Sequence, residues 1–114
     1  MTKITEGVEF DTIAREWRCK WSPDDDKKSL QELQKALAEA VPEIKNVDGV
    51  KGVQRVVCGG CMDFKVVVSL PEEKFGAWEE AKFAPEESFL ETIKKIDGVS
   101  LVETQTYTLM PVDL

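Results

Sequence analysis

Apolar and polar residues alternate from Ile13 to Trp21. Ile13, Arg15, Trp17, Cys19 and Trp21 share one side, while Glu16, Arg18 and Lys20 take the other. A period of two predicts a half-buried strand. At Ser22-Pro23-Asp24-Asp25 the pattern changes. Leu30, Leu33, Leu37, Ala40, Val41 and Ile44 then recur at helical spacing and form one apolar stripe. Ser22 is placed to cap this helix, Pro23 suits its first position, and Asp25 falls where a capping box puts its acid. Pro42 is expected to kink or tighten the last turn. Val53 to Cys58 is short and β-branched, a second strand. The adjacent glycines of Cys58-Gly59-Gly60-Cys61 accept positive φ and predict a tight hairpin turn. A third strand follows with Phe64, Val66, Val68 and Leu70 on one face and Lys65, Val67 and Ser69 on the other. Val67 suggests that this second face is also partly covered. Beyond Pro71, residues Glu72 to Lys82 predict a helix carrying Phe75, Trp78 and Ala81, weakened at Gly76. Ala84-Pro85-Glu86-Glu87 restarts a helix with Phe89, Leu90, Ile93 and Ile96 on its apolar side. The last strand runs from Val99 to Met110.

The two halves echo each other. Val47-Asp48-Gly49-Val50 follows the first helix and Ile96-Asp97-Gly98-Val99 the second, as expected of a glycine C′ cap feeding a strand. The order strand, helix, strand, strand, helix, strand is the split βαβ pattern. The expected fold is therefore α+β and ferredoxin-like, a four-stranded antiparallel sheet with two helices on one face. It occupies residues 12–114, with residues 1–11 as an N-terminal extension. The uncovered face must meet water, a ligand or another subunit. A homodimer or higher homo-oligomer, arranged as a dimeric α/β barrel, satisfies that requirement.

Charge narrows the partners. The 114 residues hold 15 Lys plus Arg against 22 Asp plus Glu, a formal charge of −7. Such a chain repels phosphate backbones and anionic membranes at long range, so direct nucleic-acid or membrane binding is not expected. The acid pairs Glu72-Glu73, Glu79-Glu80 and Glu86-Glu87 read as surface or capping groups, since most acids sit where helices begin. No apolar run approaches membrane-helix length, and nothing after Met1 reads as a secretory signal. A cytoplasmic location is the expectation, a mature organellar protein the alternative. There is no histidine. That removes His-based acid–base chemistry, His-dependent triads and most zinc enzyme sites. No cofactor is expected.

Val50-Lys51-Gly52-Val53, Gly60-Cys61-Met62-Asp63-Phe64 and Ile96-Asp97-Gly98-Val99, with the late Thr104 and Thr106, resemble the ligand-binding domain of the Lrp/AsnC family of amino-acid-responsive regulators. A stand-alone relative within the dimeric α/β-barrel group is similar. The resemblance covers roughly residues 13–112. It implies pairing through the sheets and a small effector held near subunit interfaces, around Gly59, Gly60 and Asp63. These regulators carry an N-terminal helix-turn-helix, whereas only about a dozen residues precede the first strand here. Sister barrels include antibiotic monooxygenases, stress-responsive barrels and polyketide cyclases, which often use histidine.

The expected function is accordingly a non-catalytic, homodimeric regulatory domain that binds a small polar ligand or a protein partner. Its candidate ligand-binding residues are Arg15, Trp17, Arg55, Gly59, Gly60, Asp63, Trp78 and Tyr107. An arginine facing a carboxylate holds acidic ligands in bidentate fashion, or makes an ordinary surface ion pair. Trp17, Trp21 and Trp78 form a recognition surface or simply pack. The alternative is a small barrel enzyme, a cyclase or cofactor-free oxygenase, relying on Tyr107, Asp63, Glu103 or the aromatic set. A third reading places redox or metal chemistry at Cys58 and Cys61. If the turn is two residues long these lie opposite each other and can form a reversible disulfide; zinc or an iron–sulfur cluster would need further ligands.

Overall fold

The alternation at Ile13 to Trp21 does make a strand, and it sits at the centre of the sheet. The computed structural model describes all 114 residues. Its elements are β1 (Thr2–Thr5), β2 (Val8–Phe10), β3 (Thr12–Lys20), α1 (Asp24–Lys45), β4 (Gly52–Val57), β5 (Asp63–Pro71), α2 (Glu72–Glu80), α3 (Glu86–Lys94) and β6 (Ser100–Leu109). The four long strands form one antiparallel sheet in the order β4-β5-β3-β6. This is the expected ferredoxin-like α+β fold, with the helices on one face.

Register assigns the faces. Arg15, Trp17 and Cys19 of β3 pair with Val68, Val66 and Phe64 of β5, so all six point toward the helices. Trp17, Leu33, Ile44, Phe64, Val66, Val68, Leu70 and Ile93 are the largest fully buried side chains and fill the space between sheet and helices. The opposite face carries Glu16, Val67, Gln54 and Gln105 in one row, and Arg18, Lys65, Val56 and Glu103 in the next. No element of this chain packs a helix there.

Four local expectations are revised. First, Asp25, Asp26 and Lys27 have φ of 53°, 59° and 62°, so the start of α1 is no capping box. Ser22 Oγ accepts the Asp24 N–H at 3.1 Å, while the buried Ser29 Oγ accepts the Ser22 N–H at 2.9 Å and donates to the Ser22 carbonyl at 3.1 Å. Ser29 thus ties Ser22 to the helix seven residues on, and the chain between follows a left-handed turn that Asp tolerates better than most residues.

Second, Gly49 (φ +85°) and Gly98 (φ +93°) are not helix C′ residues. Each occupies the third position of a turn closed by Val50 N–H to Val47 O and by Val99 N–H to Ile96 O, both 3.2 Å. Positive φ at that position favours glycine. Third, the β4–β5 turn is longer than two residues. Val57 pairs with Phe64, and the Cys58 N–H reaches the Asp63 carbonyl at 3.0 Å, leaving residues 59–62 to cross. The positive φ in this turn belongs to Met62 (59°), not to Gly59 or Gly60. Fourth, β1 and β2 form a short hairpin where the pattern gave no strand. Strands of four and three residues are too short to show a period.

Candidate active site

Between β3 and the α2–α3 connection, aromatic and charged groups meet. Trp17 of β3 lies 5.2 Å from Phe89 of α3 and 6.5 Å from Trp78 of α2, between ring centroids. Trp78 in turn meets Phe75 at 5.9 Å and Phe83 at 5.1 Å, both nearly edge-to-face. Such tilted arrangements suit the ring quadrupoles. Trp78 Nε1 donates to the Ala84 carbonyl at 2.9 Å, which fixes its ring against the α2–α3 connection.

Into this wall comes an ion pair. Arg15 Nε donates to Glu86 Oε1 at 2.7 Å, and an Arg15 Nη donates to Oε2 at 3.2 Å. The guanidinium also donates to Thr104 Oγ1 at 3.0 Å and Thr106 Oγ1 at 2.9 Å, and lies 4.2 Å over the Phe83 ring. Trp17 Nε1 donates to the same Glu86 Oε1 at 2.7 Å. Glu86 opens α3, where the positive end of the helix favours a carboxylate. The side chains of Arg15 and Glu86 are only 16% and 15% exposed. Glu86 Oε2 receives only the longer Arg15 contact and keeps acceptor capacity. A carboxylate that keeps acceptor capacity, in an aromatic surround, can take a proton from a bound molecule. The arginine can then steady the anion that results.

The residues marked from sequence divide into separate groups. Arg15, Trp17 and Trp78 come together in this cluster. Asp63 lies at the disulfide hairpin, 2.5 Å from Lys20 Nζ, and that lysine's hydrogen bond and charge hold its carboxyl below the usual range. Gly59 and Gly60 are exposed in the turn. Arg55 is exposed on edge strand β4 and donates to Gln34 Oε1 of α1 at 2.5 Å. Tyr107 sits on the other face of the sheet, where its hydroxyl donates to Glu16 Oε1 at 3.0 Å. Burial, then the Glu16 hydrogen bond and charge, push Tyr107 up to about 12. Cys58 and Cys61 are joined in a disulfide, whereas Cys19 is a buried free thiol. Burial, with the charge of Asp63, pushes Cys19 up to about 11.

Sequence reading missed Glu86, Phe83 and Glu16. Glu86 looked like a capping acid, and Glu16 like a solvated one, yet Glu16 is only 5% exposed. The available signal for Glu86 was its place at a helix start directly after Phe83-Ala84-Pro85.

A four-stranded ferredoxin-like sheet with its helices on one face defines a class of small α+β proteins, and here a half-buried carboxylate–arginine pair lies within its aromatic wall. Comparison with solved structures gives the class its relatives. The chain matches SnoaB, a cofactor-independent oxygenase from Streptomyces nogalater, with TM-score 0.59 and 13% identity, over 90% of this chain and 96% of that one. It matches the monooxygenase from the gene ActVA-Orf6 of Streptomyces coelicolor, solved with the ligand nanaomycin D, with TM-score 0.59 and 15% identity over 92% of both chains. It also matches Rv0793 from Mycobacterium tuberculosis, with TM-score 0.57 and 14% identity, over 90% and 97%. No protein-family model matches, and no curated protein matches by sequence. At these identities the likeness shows the fold, a ferredoxin-like sheet of the kind found in cofactor-independent oxygenases.

Two expectations are corrected here. The solved relatives named as enzymes are oxygenases, and they favour the enzymatic alternative over a regulatory, ligand-binding domain. Nothing found is specific to an Lrp/AsnC domain. Of the motifs behind that resemblance, Ile96-Asp97-Gly98-Val99 forms a closed turn that returns α3 to the sheet and Gly52-Val53 opens strand β4, needs shared by other split βαβ domains. No helix is long and apolar enough to cross a membrane.

Proposed function

We propose that the chain is a small oxygenase working without a resident cofactor, on a flat, electron-rich aromatic molecule bearing an acidic C–H or O–H. The observation that carries this reading is the Arg15–Glu86 pair set among Trp17, Trp78, Phe83 and Phe89. The fold's likeness to cofactor-independent oxygenases supports it. The substrate ring docks beside Glu86, whose Oε2 keeps acceptor capacity. Glu86 takes the proton, and Arg15, already anchored by Thr104 and Thr106, stabilises the anion. The anion is itself the reductant. It passes electrons to molecular oxygen, a carbon–oxygen bond forms, and a CH2 carbon becomes a carbonyl with release of one water. Substrate and oxygen thus balance without a further electron donor. The uncovered sheet face pairs with a second copy, completing a dimeric barrel.

Oxygen uptake with fused-ring hydroxyaromatics carrying an activated CH2 tests the proposal. Glu86→Gln should lower kcat by about 10²–10⁴-fold, the usual weight of a general base, while circular dichroism stays unchanged. Wild-type protein that consumes no oxygen with any such compound, or a Glu86→Gln variant as active as wild type, removes it.

A further inference from the structure

The protein's three tryptophans use their indole N–H groups differently. Trp78 Nε1 donates to the Ala84 carbonyl at 2.9 Å, and Trp21 Nε1 to the Asp63 carbonyl at 3.2 Å. Trp17 Nε1 alone donates to a carboxylate, Glu86 Oε1, at 2.7 Å. A backbone carbonyl would satisfy a buried N–H equally well, so satisfaction by itself does not call for a charged partner. Glu86 is also shared unevenly. Its Oε1 accepts two N–H groups at 2.7 Å, from Trp17 Nε1 and Arg15 Nε, whereas Oε2 accepts one from Arg15 at 3.2 Å. An arginine and a carboxylate left to themselves tend to close as two parallel hydrogen bonds that occupy both oxygens. Here the pair is lopsided, and Trp17 supplies the extra pull. Its ring is 1% exposed and packs against Phe89 at 5.2 Å and Trp78 at 6.5 Å, so the N–H has little freedom to swing. Trp17 and Arg15 lie two residues apart on one face of β3, and the strand period brings both donors to the same oxygen.

We infer that Trp17 is a positioning residue: its indole N–H pins Glu86 Oε1 and so leaves Oε2 as the oxygen that takes the substrate's proton. The inference rests on the proposed oxygenase reading, and it gives the two oxygens of Glu86 different tasks. Oε1 anchors the carboxylate to β3 through two short N–H contacts. Oε2 carries only the longer contact, gives it up at the least cost and offers its lone pair to the bound molecule. Without the indole N–H, the pair closes evenly on Arg15 and both oxygens are engaged. The base is then blunted while the aromatic wall remains.

The test removes the N–H and keeps the ring. Benzothienylalanine in place of Trp17, introduced by chemical synthesis of the chain, carries sulfur where the indole has its N–H and has nearly the same shape. Trp17→Phe is the genetic counterpart. Both should lower kcat for oxygen uptake by about 10–100-fold, the weight of one hydrogen bond to a charged group, while KM of the benzothienyl form stays near that of wild type. In a Glu86→Gln background the same replacement should cost nothing further, since it acts through Glu86. A second arm needs no turnover. The Trp17 indole proton should move upfield in the NMR spectrum of Glu86→Gln, while those of Trp21 and Trp78 stay in place. An unchanged kcat, a change confined to KM, losses that multiply in the Glu86→Gln background, or a Trp17 proton indifferent to Glu86 each overturn the inference. Wild-type protein without oxygen uptake removes the oxygenase reading instead, and the NMR arm then decides alone whether Trp17 holds Glu86.

Discussion

At the scale of single residues, the sheet buries one polar pair that alternation alone cannot reveal. Glu16 and Tyr107 lie on the face away from the helices, adjacent across the β3–β6 ladder, and meet through the tyrosine hydroxyl. Tyr107 is the only tyrosine, so tyrosinate absorbance reports on it alone. The folded protein should titrate with a midpoint at about 12, the unfolded chain near the model-peptide value of about 10. A pKa raised by folding means that the native state holds its proton more tightly. Its contribution to stability is thus intact below pH ~10 and is lost as pH rises through the folded pKa. Glu16→Gln should lower the native midpoint toward that of the unfolded chain; a native midpoint already there counts against the buried contact. Glu86 teaches the same lesson in sequence terms. Its partner Arg15 is 71 residues away, and no local pattern relates them.

At the scale of elements, glycine identity separates turns that need it from one that does not. A Cβ on Gly49 would lie 2.5 Å from Lys74 Cγ, and one on Gly98 3.1 Å from Ser29 Cβ, both on a backbone at positive φ. Gly49→Ala and Gly98→Ala should each cost about 1–3 kcal/mol, read by denaturant unfolding. Gly59→Ala and Gly60→Ala, with nothing within 4 Å of the new methyl, should stay within about 0.5 kcal/mol of wild type. Equal losses at all four would overturn this division. The Asp-Gly repeat was therefore a true marker of a turn after each helix, although its geometry is that of a closed turn and not a helix cap. The paired glycines at the hairpin looked more constrained than they are, because a longer turn moves the positive φ to Met62.

The whole molecule is elongated, with extents of 49 × 31 × 20 Å and a radius of gyration of 15.3 Å. A compact chain of this length would have about 13 Å. The β1–β2 hairpin exposes Ile4 and Val8, and the C-terminal tail exposes Val112. On the face without helices, the half-buried Val67 and exposed Val56 and Leu109 stand among charged and amide groups. A second copy laid on that face would cover these apolar groups, as the proposed dimer requires. Sedimentation should give a dimer for the wild type, and Val67→Glu should return a monomer with its secondary structure intact. A wild-type monomer at micromolar concentration would leave the barrel proposal without support.

Periodicity by itself determined the split βαβ order, the helix-facing sides of β3 and β5, and the broken second helix at Ala84-Pro85. These follow from burial patterns within a few residues, which the chain carries locally. Tertiary structure alone decided that Arg15, Trp17, Trp78 and Glu86 share one place, and that Tyr107 lies across the sheet from them. Such meetings depend on strand register and on how the α2–α3 connection folds over β3. Both are set by the packing of the whole core and not by any stretch of sequence read on its own.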